Sequence, residues 1–315
     1  MIQMKKSGVI LLCMLFFTAC AQLTSQQKKE DLGINEFRVG NEGLRAVFVT
    51  NLPPDRIFGG ENLDVTLQIE NKGTSPVIGE NSRIYLSGFD PSIITGVPTT
   101  GIQLPKIHPR DQFTSQGSIE HISFQGKTIS LENKGIDKYP ARLQATLCYG
   151  YETIASANVC LDPNPFSATI RQKVCTPASV GLGGGQGAPI AVTMVEIDPA
   201  LGKTRFRIKV QNVGGGEVFR PSALDKCSPF STEGLRFNDV DYIKVRSIRM
   251  QDKDIKPSCN PMTEQHLRLT NNAGTLFCEI TGLVGTAAYI SPLIIELEYG
   301  YRTTFLKSVD LVPGS

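Results

Sequence analysis

The chain has 315 residues, with 32 basic and 30 acidic side chains, 30 glycines, 19 prolines, eight cysteines and no tryptophan. That length suits about two domains, and short runs of Val, Ile, Thr and Tyr between glycines and prolines favour all-β modules over an α/β enzyme. A formal charge of +2, with no basic stripe, argues against nucleic acid as a partner.

Residues 1–20 read MIQMKKSGVILLCMLFFTAC: Lys5 and Lys6, an apolar core from Gly8 to Phe17, then the small Thr18 and Ala19. This is the pattern of an export signal, and its apolar part falls short of the roughly 20 residues that a straight transmembrane helix requires. Residues 1–19 are therefore expected to be removed, which takes away two lysines and leaves acids and bases equal in number. Residues 20–36, CAQLTSQQKKEDLGINE, lack a sustained apolar face and suit a solvated tether.

A first domain is expected over 37–175. Leu63, Val65, Leu67 and Ile69 alternate with polar residues, the period of a strand with one face in a core. Asn71-Lys72-Gly73 ends it, with Gly73 expected at positive φ in a turn. Further strands are expected at Arg83–Ser87, Ser118–Phe124, Lys127–Leu131, Ala141–Tyr149 and Thr153–Cys160, the last two joined by a reversal around Gly150 to Thr153.

The glycine-rich connector 176–187, TPASVGLGGGQG, reads as a low-order link or a close contact between domains. No Lys-Ser/Thr pair follows its glycines and the next stretch, Ile190 to Ile197, is strand-like, so it is not a phosphate-binding loop. A second domain, 188–315, carries an irregular middle from Leu224 to Asn260 with a strand at Asp241–Met250. Around Asn271–Gly274 the pattern predicts a hairpin between His266–Leu269 and Thr275–Ile280.

Two segments return. LQATLCYGY, Leu143 to Tyr151, comes back as LIIELEYGY, Leu293 to Tyr301; VTLQIENKG, Val65 to Gly73, comes back as FRIKVQNVG, Phe206 to Gly214. One module is therefore written twice, and the predicted fold class is two tandem immunoglobulin-like β-sandwiches behind a cleaved signal and a tether. The spacing of two within Tyr149/Tyr151 and Tyr299/Tyr301 puts each pair on one strand face, which favours core packing over a sugar-binding platform.

An alternating strand ending in Asn-x-Gly, at Asn71/Gly73 and Asn212/Gly214, resembles the CARDB-type immunoglobulin-like domains of exported prokaryotic proteins. Phe17-Thr18-Ala19-Cys20 resembles the lipobox of prokaryotic lipoproteins, which implies a diacylated Cys20 as the mature N-terminus. The stretches EGLRAVFVTNLPPDRIF, CYGYETIASANVCLDPNPF and GQGAPIAVT are similar to an uncharacterised family of exported proteins from small-genome archaea. None of these resemblances implies a catalytic residue; such domains serve as spacers, adhesion modules or parts of surface assemblies.

With Cys13 removed and Cys20 lipidated, six thiols remain: Cys148, Cys160, Cys175, Cys227, Cys259 and Cys278. An even number in an exported chain reads as disulfides. Three fall in or just after the first half, so full pairing requires a bridge between the halves. Cys175, beside the connector, is the candidate for it; Cys227 and Cys259, each opening a Cys-x-Pro turn, are the candidate for a pair. No metal site is expected, because there is no Cys-x-x-Cys and His108, His121 and His266 are scattered. The acid pairs Asp239/Asp241 and Asp252/Asp254 read as surface charge before calcium ligands. No Gly-x-Ser-x-Gly elbow occurs and no cofactor is implied.

The expected function is that of a non-catalytic, membrane-anchored surface protein, held by its N-terminal lipid, that binds a protein or surface polymer or joins an assembly. The alternative is an accessory module of an extracellular enzyme, or an enzyme whose site lies in 224–260. One acyl chain binds membranes marginally and two bind stably. Cys20→Ser should therefore abolish fatty-acid labelling and either leave the signal uncleaved or release soluble protein. A wild-type N-terminus other than Cys20 in the mass spectrum contradicts the lipobox reading.

Overall fold

The computed structural model describes residues 37–167 and 173–314; the expected export signal, tether and lipidated Cys20 lie outside the described residues. The architecture is all-β. The first half supplies β1 (Leu44–Phe48), β2 (Arg56–Phe58), β3 (Asn62–Asn71), β4 (Ile78–Ser87), β5 (Ile94–Thr95), β6 (Ile102–Gln103), β7 (Ile119–Thr128) and β8 (Tyr139–Leu161). The second supplies β9 (Val180–Gly181), β10 (Ile190–Ala200), β11 (Lys203–Asn212), β12 (Glu217–Phe219), β13 (Tyr242–Met250), β14 (Lys253–Asp254), β15 (His266–Arg268), β16 (Ala273–Thr281) and β17 (Tyr289–Val312).

Period-two patterning places these strands. On β3, Leu63, Val65, Leu67 and Ile69 are buried, and on β11 so are Phe206, Ile208 and Val210. Each half contributes one four-stranded sheet, β1-β3-β7-β5 and β9-β10-β11-β16. Both halves build the third sheet together: nine strands, with β14-β13-β17-β8-β4-β6 along its main path. At its centre β8 and β17 run antiparallel and pair from Tyr139↔Leu311 to Leu161↔Tyr289. The buried faces of all three sheets belong to one hydrophobic cluster.

The predicted reversal at Gly150 is therefore wrong. β8 runs straight through it, as β17 runs through Gly300, and the two repeated triplets meet: Tyr149↔Tyr301, Gly150↔Gly300, Tyr151↔Tyr299. The glycines answer a need for close approach, not for a turn. A Cβ on Gly150 would collide with the Ile78 carbonyl, and one on Gly300 with the Phe219 ring. Similarly, the strands expected at Ser118–Phe124 and Lys127–Leu131 are one strand, β7, through Gly126.

The repeat holds in register as well as in sequence. Leu44↔Asn71 in the first half matches Ile190↔Asn212 in the second, Leu67↔Ile122 matches Ile208↔Leu276, and Ile78↔Gly150 matches Phe219↔Gly300. A pseudo-two-fold relation thus passes between Gly150 and Gly300. The copies differ where residues 220–241 separate β12 from β13. That insertion lays the 3-10 turn Pro221–Cys227 over the outer face of the shared sheet, where Ala223, Leu224 and Cys227 pack with Tyr85, Cys148 and Phe219.

Each copy is pinned by the same polar lock. Tyr151 Oη donates to Asn71 Oδ1 at 2.9 Å and accepts from Ser75 N–H at 3.3 Å; Asn71 Nδ2 donates to Ser75 O at 2.9 Å. In the second copy Tyr301 Oη donates to Asn212 Oδ1 at 2.9 Å and accepts from Gly216 N–H at 2.8 Å, and Asn212 Nδ2 donates to Gly216 O at 2.8 Å. Gly73 does not take the positive φ expected of it. It is glycine because a Cβ there would collide with the Tyr151 hydroxyl.

All six candidate cysteines form disulfides: Cys148–Cys227, Cys160–Cys175 and Cys259–Cys278. One bridge does join the halves, but it is made by Cys227 and not Cys175. Cys148 lies on the outer face of β8, where the insertion covers it. Cys175 instead closes the short loop back to Cys160. The expected Cys227–Cys259 pair is likewise overturned, because the Asn260↔Phe277 bridge sets Cys259 beside Cys278. Three disulfides place the chain in an oxidising, extracytoplasmic environment, and no helix among the described residues is long and apolar enough to cross a membrane.

Burial raises the hydroxyls of all four core tyrosines, Tyr149 and Tyr299 furthest, with Tyr301 reaching about 12. The unfolded value is about 10, so the native state holds these protons more tightly. Their contribution to stability is complete below pH ~10 and is lost as pH rises from there through the folded values. Of the eight tyrosines, four or more should show phenolate absorbance only together with unfolding. Full, reversible titration of all of them in the folded protein near pH 10 would contradict this core.

Candidate binding edge beside the repeat junction

The pseudo-symmetry makes the two sandwich edges directly comparable. In an antiparallel strand alternate residues aim N–H and C=O at the same neighbour. Up to a bulge between Val192 and Met194, β10 turns its odd-numbered groups to β11, and the outward groups of Ile190 and Val192 are met by the chain that precedes them. The buried Gln186 side chain serves Val192 twice, Nε2 donating to Val192 O at 3.1 Å and Oε1 accepting from Val192 N–H at 2.9 Å. Thr153 Oγ1 donates to Ile190 O at 2.7 Å and lies 2.9 Å from the Tyr299 hydroxyl. Farther along, β9 pairs Val180 with Val195 and Gly181 with Met194. This edge is closed.

Its counterpart in the first half is open. β1 pairs only with β3. Leu44 N–H donates to Tyr149 Oη at 3.2 Å, but the outward N–H and C=O of Ala46 have no partner among the described residues. Thr303 is the counterpart of Thr153, and its Oγ1 is buried without a hydrogen bond. The reason lies in where the preceding chain goes. Gly40 N–H donates to Gly184 O at 2.6 Å, Gly187 N–H donates to Gly40 O at 2.8 Å, and Arg110 holds the Val39 carbonyl. Residues 39–40 thus pack on the connector and not along β1.

The neighbouring stretch of β17 is open too. β8 lies on one side throughout, whereas on the other side β13 covers Leu293–Glu298, β12 Gly300–Arg302 and β2 Asp310–Val312, which leaves 303–309 between them without a paired strand among the described residues. Asp310 N–H points outward to Asp55 O at 2.8 Å, so by alternation the backbone groups of Thr304, Leu306 and Ser308 point the same way. All three residues are exposed. An open cleft of about 680 Å³ runs into this gap, lined among others by Leu44, Arg45, Tyr149, Asn212, Thr303 and Phe305. Glu42, Arg45 and Asp241 at its rim have no ion-pair partner among the described residues, while Arg302 is paired with Glu217. Such an edge offers backbone hydrogen bonds to an extended segment and charges to fix its register.

The other sequence candidates do not converge. Asp239 Oδ2 accepts from Arg236 N–H at 3.0 Å and Asp254 Oδ1 from Lys256 N–H at 3.0 Å. Among the described residues no group of three or more metal-ligating side chains comes together. His266 packs edge-on against Tyr242 with ring centroids 6.5 Å apart, and its Nδ1 is 3.3 Å from Arg220 Nη1. Burial lowers its pKa. The hairpin turn Asn271-Asn272 is present, both residues at positive φ, but its arms diverge, β15 into the shared sheet and β16 into the second-half sheet. No protein-family model and no curated protein matches this chain.

The two threonines give a direct test of the open edge. Thr153→Val removes a made hydrogen bond and strands the Ile190 carbonyl, so it should cost about 1–3 kcal/mol. Thr303→Val removes a hydroxyl that has no partner and should be neutral or stabilising. Equal losses in denaturant unfolding of the two variants would mean that the edges are not different.

Proposed function

We propose that the protein is a non-catalytic, exported surface protein, anchored through a diacylated Cys20, that captures an extended segment of a protein partner by strand addition to β17 at residues 303–309. One observation carries this reading: in the second half the Gln186 amide satisfies Val192 and Thr153 Oγ1 serves Ile190 O, whereas their first-half counterparts, Ala46 and Thr303 Oγ1, have no partner among the described residues and lie beside the exposed Thr304, Leu306 and Ser308. An exposed strand edge is otherwise a liability that proteins cover or blunt. The gap is bounded at both ends, by β12 and by β2, which limits the added strand to a short segment and fixes its position. The Asn-x-Gly strands support the CARDB-like resemblance, and the oxidised cysteines support export.

The test is photo-crosslinking in native membranes from a probe residue at Ser308, with Phe113 as the control position. The expected adduct is with one extended peptide of a second protein and is absent from the control. Leu306→Pro takes a donor from the open edge and none from the β8 ladder, so it should abolish the adduct while leaving the fold intact. Adducts confined to this chain's own residues before Phe37, or none, would overturn the proposal.

A further inference from the structure

Three loops and a strand end meet at the outer end of the second half. Gly202 N–H in the β10–β11 turn donates to Pro163 O at 2.9 Å, and Leu283 N–H in the β16–β17 loop donates to Gly202 O at 3.0 Å. Cys160, paired with Ile290 across β8 and β17, is bonded to Cys175. These links bring together Phe166, Val174, Leu201, Val284 and Ile290, each between 57 and 86 % exposed. Isolated exposed apolar residues are ordinary; five on neighbouring tips are not.

The surrounding chemistry is apolar as well. No charged residue occurs from 174 to 195 or from 280 to 295, and none from 163 to 167 or from 199 to 202. Among the described residues charge returns at the rim. Lys173 is paired with the buried Asp162 at 2.5 Å, Lys203 with Glu279 at 3.1 Å, and Lys253 Nζ donates to Thr281 O at 3.4 Å. The five side chains project from three separate connections and a strand end, whereas a protein interface of standard size is one continuous, closely packed patch with its own hydrogen bonds. Single apolar tips within a charge-free zone, with lysines at its rim, match the depth profile of a bilayer surface.

We propose that this end of the molecule is a membrane-docking tip whose loops insert Phe166, Val174, Leu201, Val284 and Ile290 among the acyl chains of a lipid bilayer. The tip acts independently of the lipid on Cys20 and of the strand edge, and it would fix the orientation of the folded part on the bilayer. Because the chain has no tryptophan, one introduced residue reports its own surroundings. The full chain carrying Val284→Trp or Leu201→Trp is mixed with phosphatidylcholine vesicles, with Phe113→Trp as a control on a different loop. The expected result is an emission shift to shorter wavelength and quenching by acyl-brominated lipid at 284 and 201, and neither at 113. Solvent-like emission from 284 and 201 on vesicle-bound protein overturns the proposal, as does an equal response at 113. In the Cys20→Ser chain, Leu201→Ser with Val284→Ser should weaken vesicle partitioning by roughly tenfold for each side chain removed; unchanged partitioning also overturns it, and a Trp shift induced by another protein but not by vesicles assigns the tip to a protein partner instead.

Discussion

The pairing of β8 with β17 is the constraint on which the remaining structure depends. Two copies of one strand lie antiparallel in continuous register from Tyr139↔Leu311 to Leu161↔Tyr289, so each covers the other's edge over its full length. A sandwich that ended at β8 would leave that edge free for unrelated strands. The pairing also brings the four tyrosines into one cluster, with Tyr149 and Tyr301 centroids 5.9 Å apart and near-perpendicular edges at Tyr149/Tyr151. Four buried hydroxyls in one core are tolerated because each has a hydrogen-bond partner: Leu44 N–H, Asn71, Thr153 and Asn212. The glycine of each triplet follows from the same crowding. With tyrosines filling one face, the other face is pressed by the Ile78 carbonyl in one copy and the Phe219 ring in the other.

Identical copies around a two-fold relation would have identical surroundings, and this chain departs from that in two places. Residues 220–241 have no counterpart in the first half, and they bury Cys148 and Tyr85 on the outer face of the shared sheet. The Cys148–Cys227 bridge then closes a loop of 79 residues, for which the chain-entropy model gives about 4–5 kcal/mol of destabilisation of the unfolded state. The second departure is at the lead-in to each copy. Residues 180–187 fold back along β10, and Gln186 imitates a neighbouring strand with its amide. Residues 39–40 dock against residues 184–187 instead, and the first copy's edge is left open by the contact that closes the junction.

Much of this was legible in the residues. Period-two patterning located β3, the repeat carried it to β11, strands were expected at β10 and β13, and the repeated Asn-x-Gly and Tyr-Gly-Tyr segments marked the equivalent positions. Legibility failed where a residue's usual local meaning was displaced by a long-range contact. Gly150 and Gly73 carried a turn signal, yet both are small because a neighbour distant in sequence occupies the space. Disulfide partners could be counted but not matched, because Cys148 and Cys227 meet only through an insertion whose course no local pattern encodes. The open edge had a trace in the sequence: Tyr151-Glu152-Thr153 returns as Tyr301-Arg302-Thr303. Only the comparison of the two hydroxyls' surroundings shows that one threonine is satisfied and the other is not.

The open edge and the apolar tip stand on opposite sides of the pseudo-two-fold relation. Leu306 lies beyond Gly300 in the direction of β2, whereas Ile290 opens β17 at the other end; at about 3.4 Å per residue some 50 Å of strand separates them. Since β17 is one strand hydrogen-bonded along its length to β8, the two ends are held by a rigid element and not by a hinge. A chain docked by its tip would therefore hold residues 303–309 well clear of the headgroups, where an extended segment from solution has access. The duplication supplies the spacing, and the asymmetries between the copies leave one edge closed and the other open.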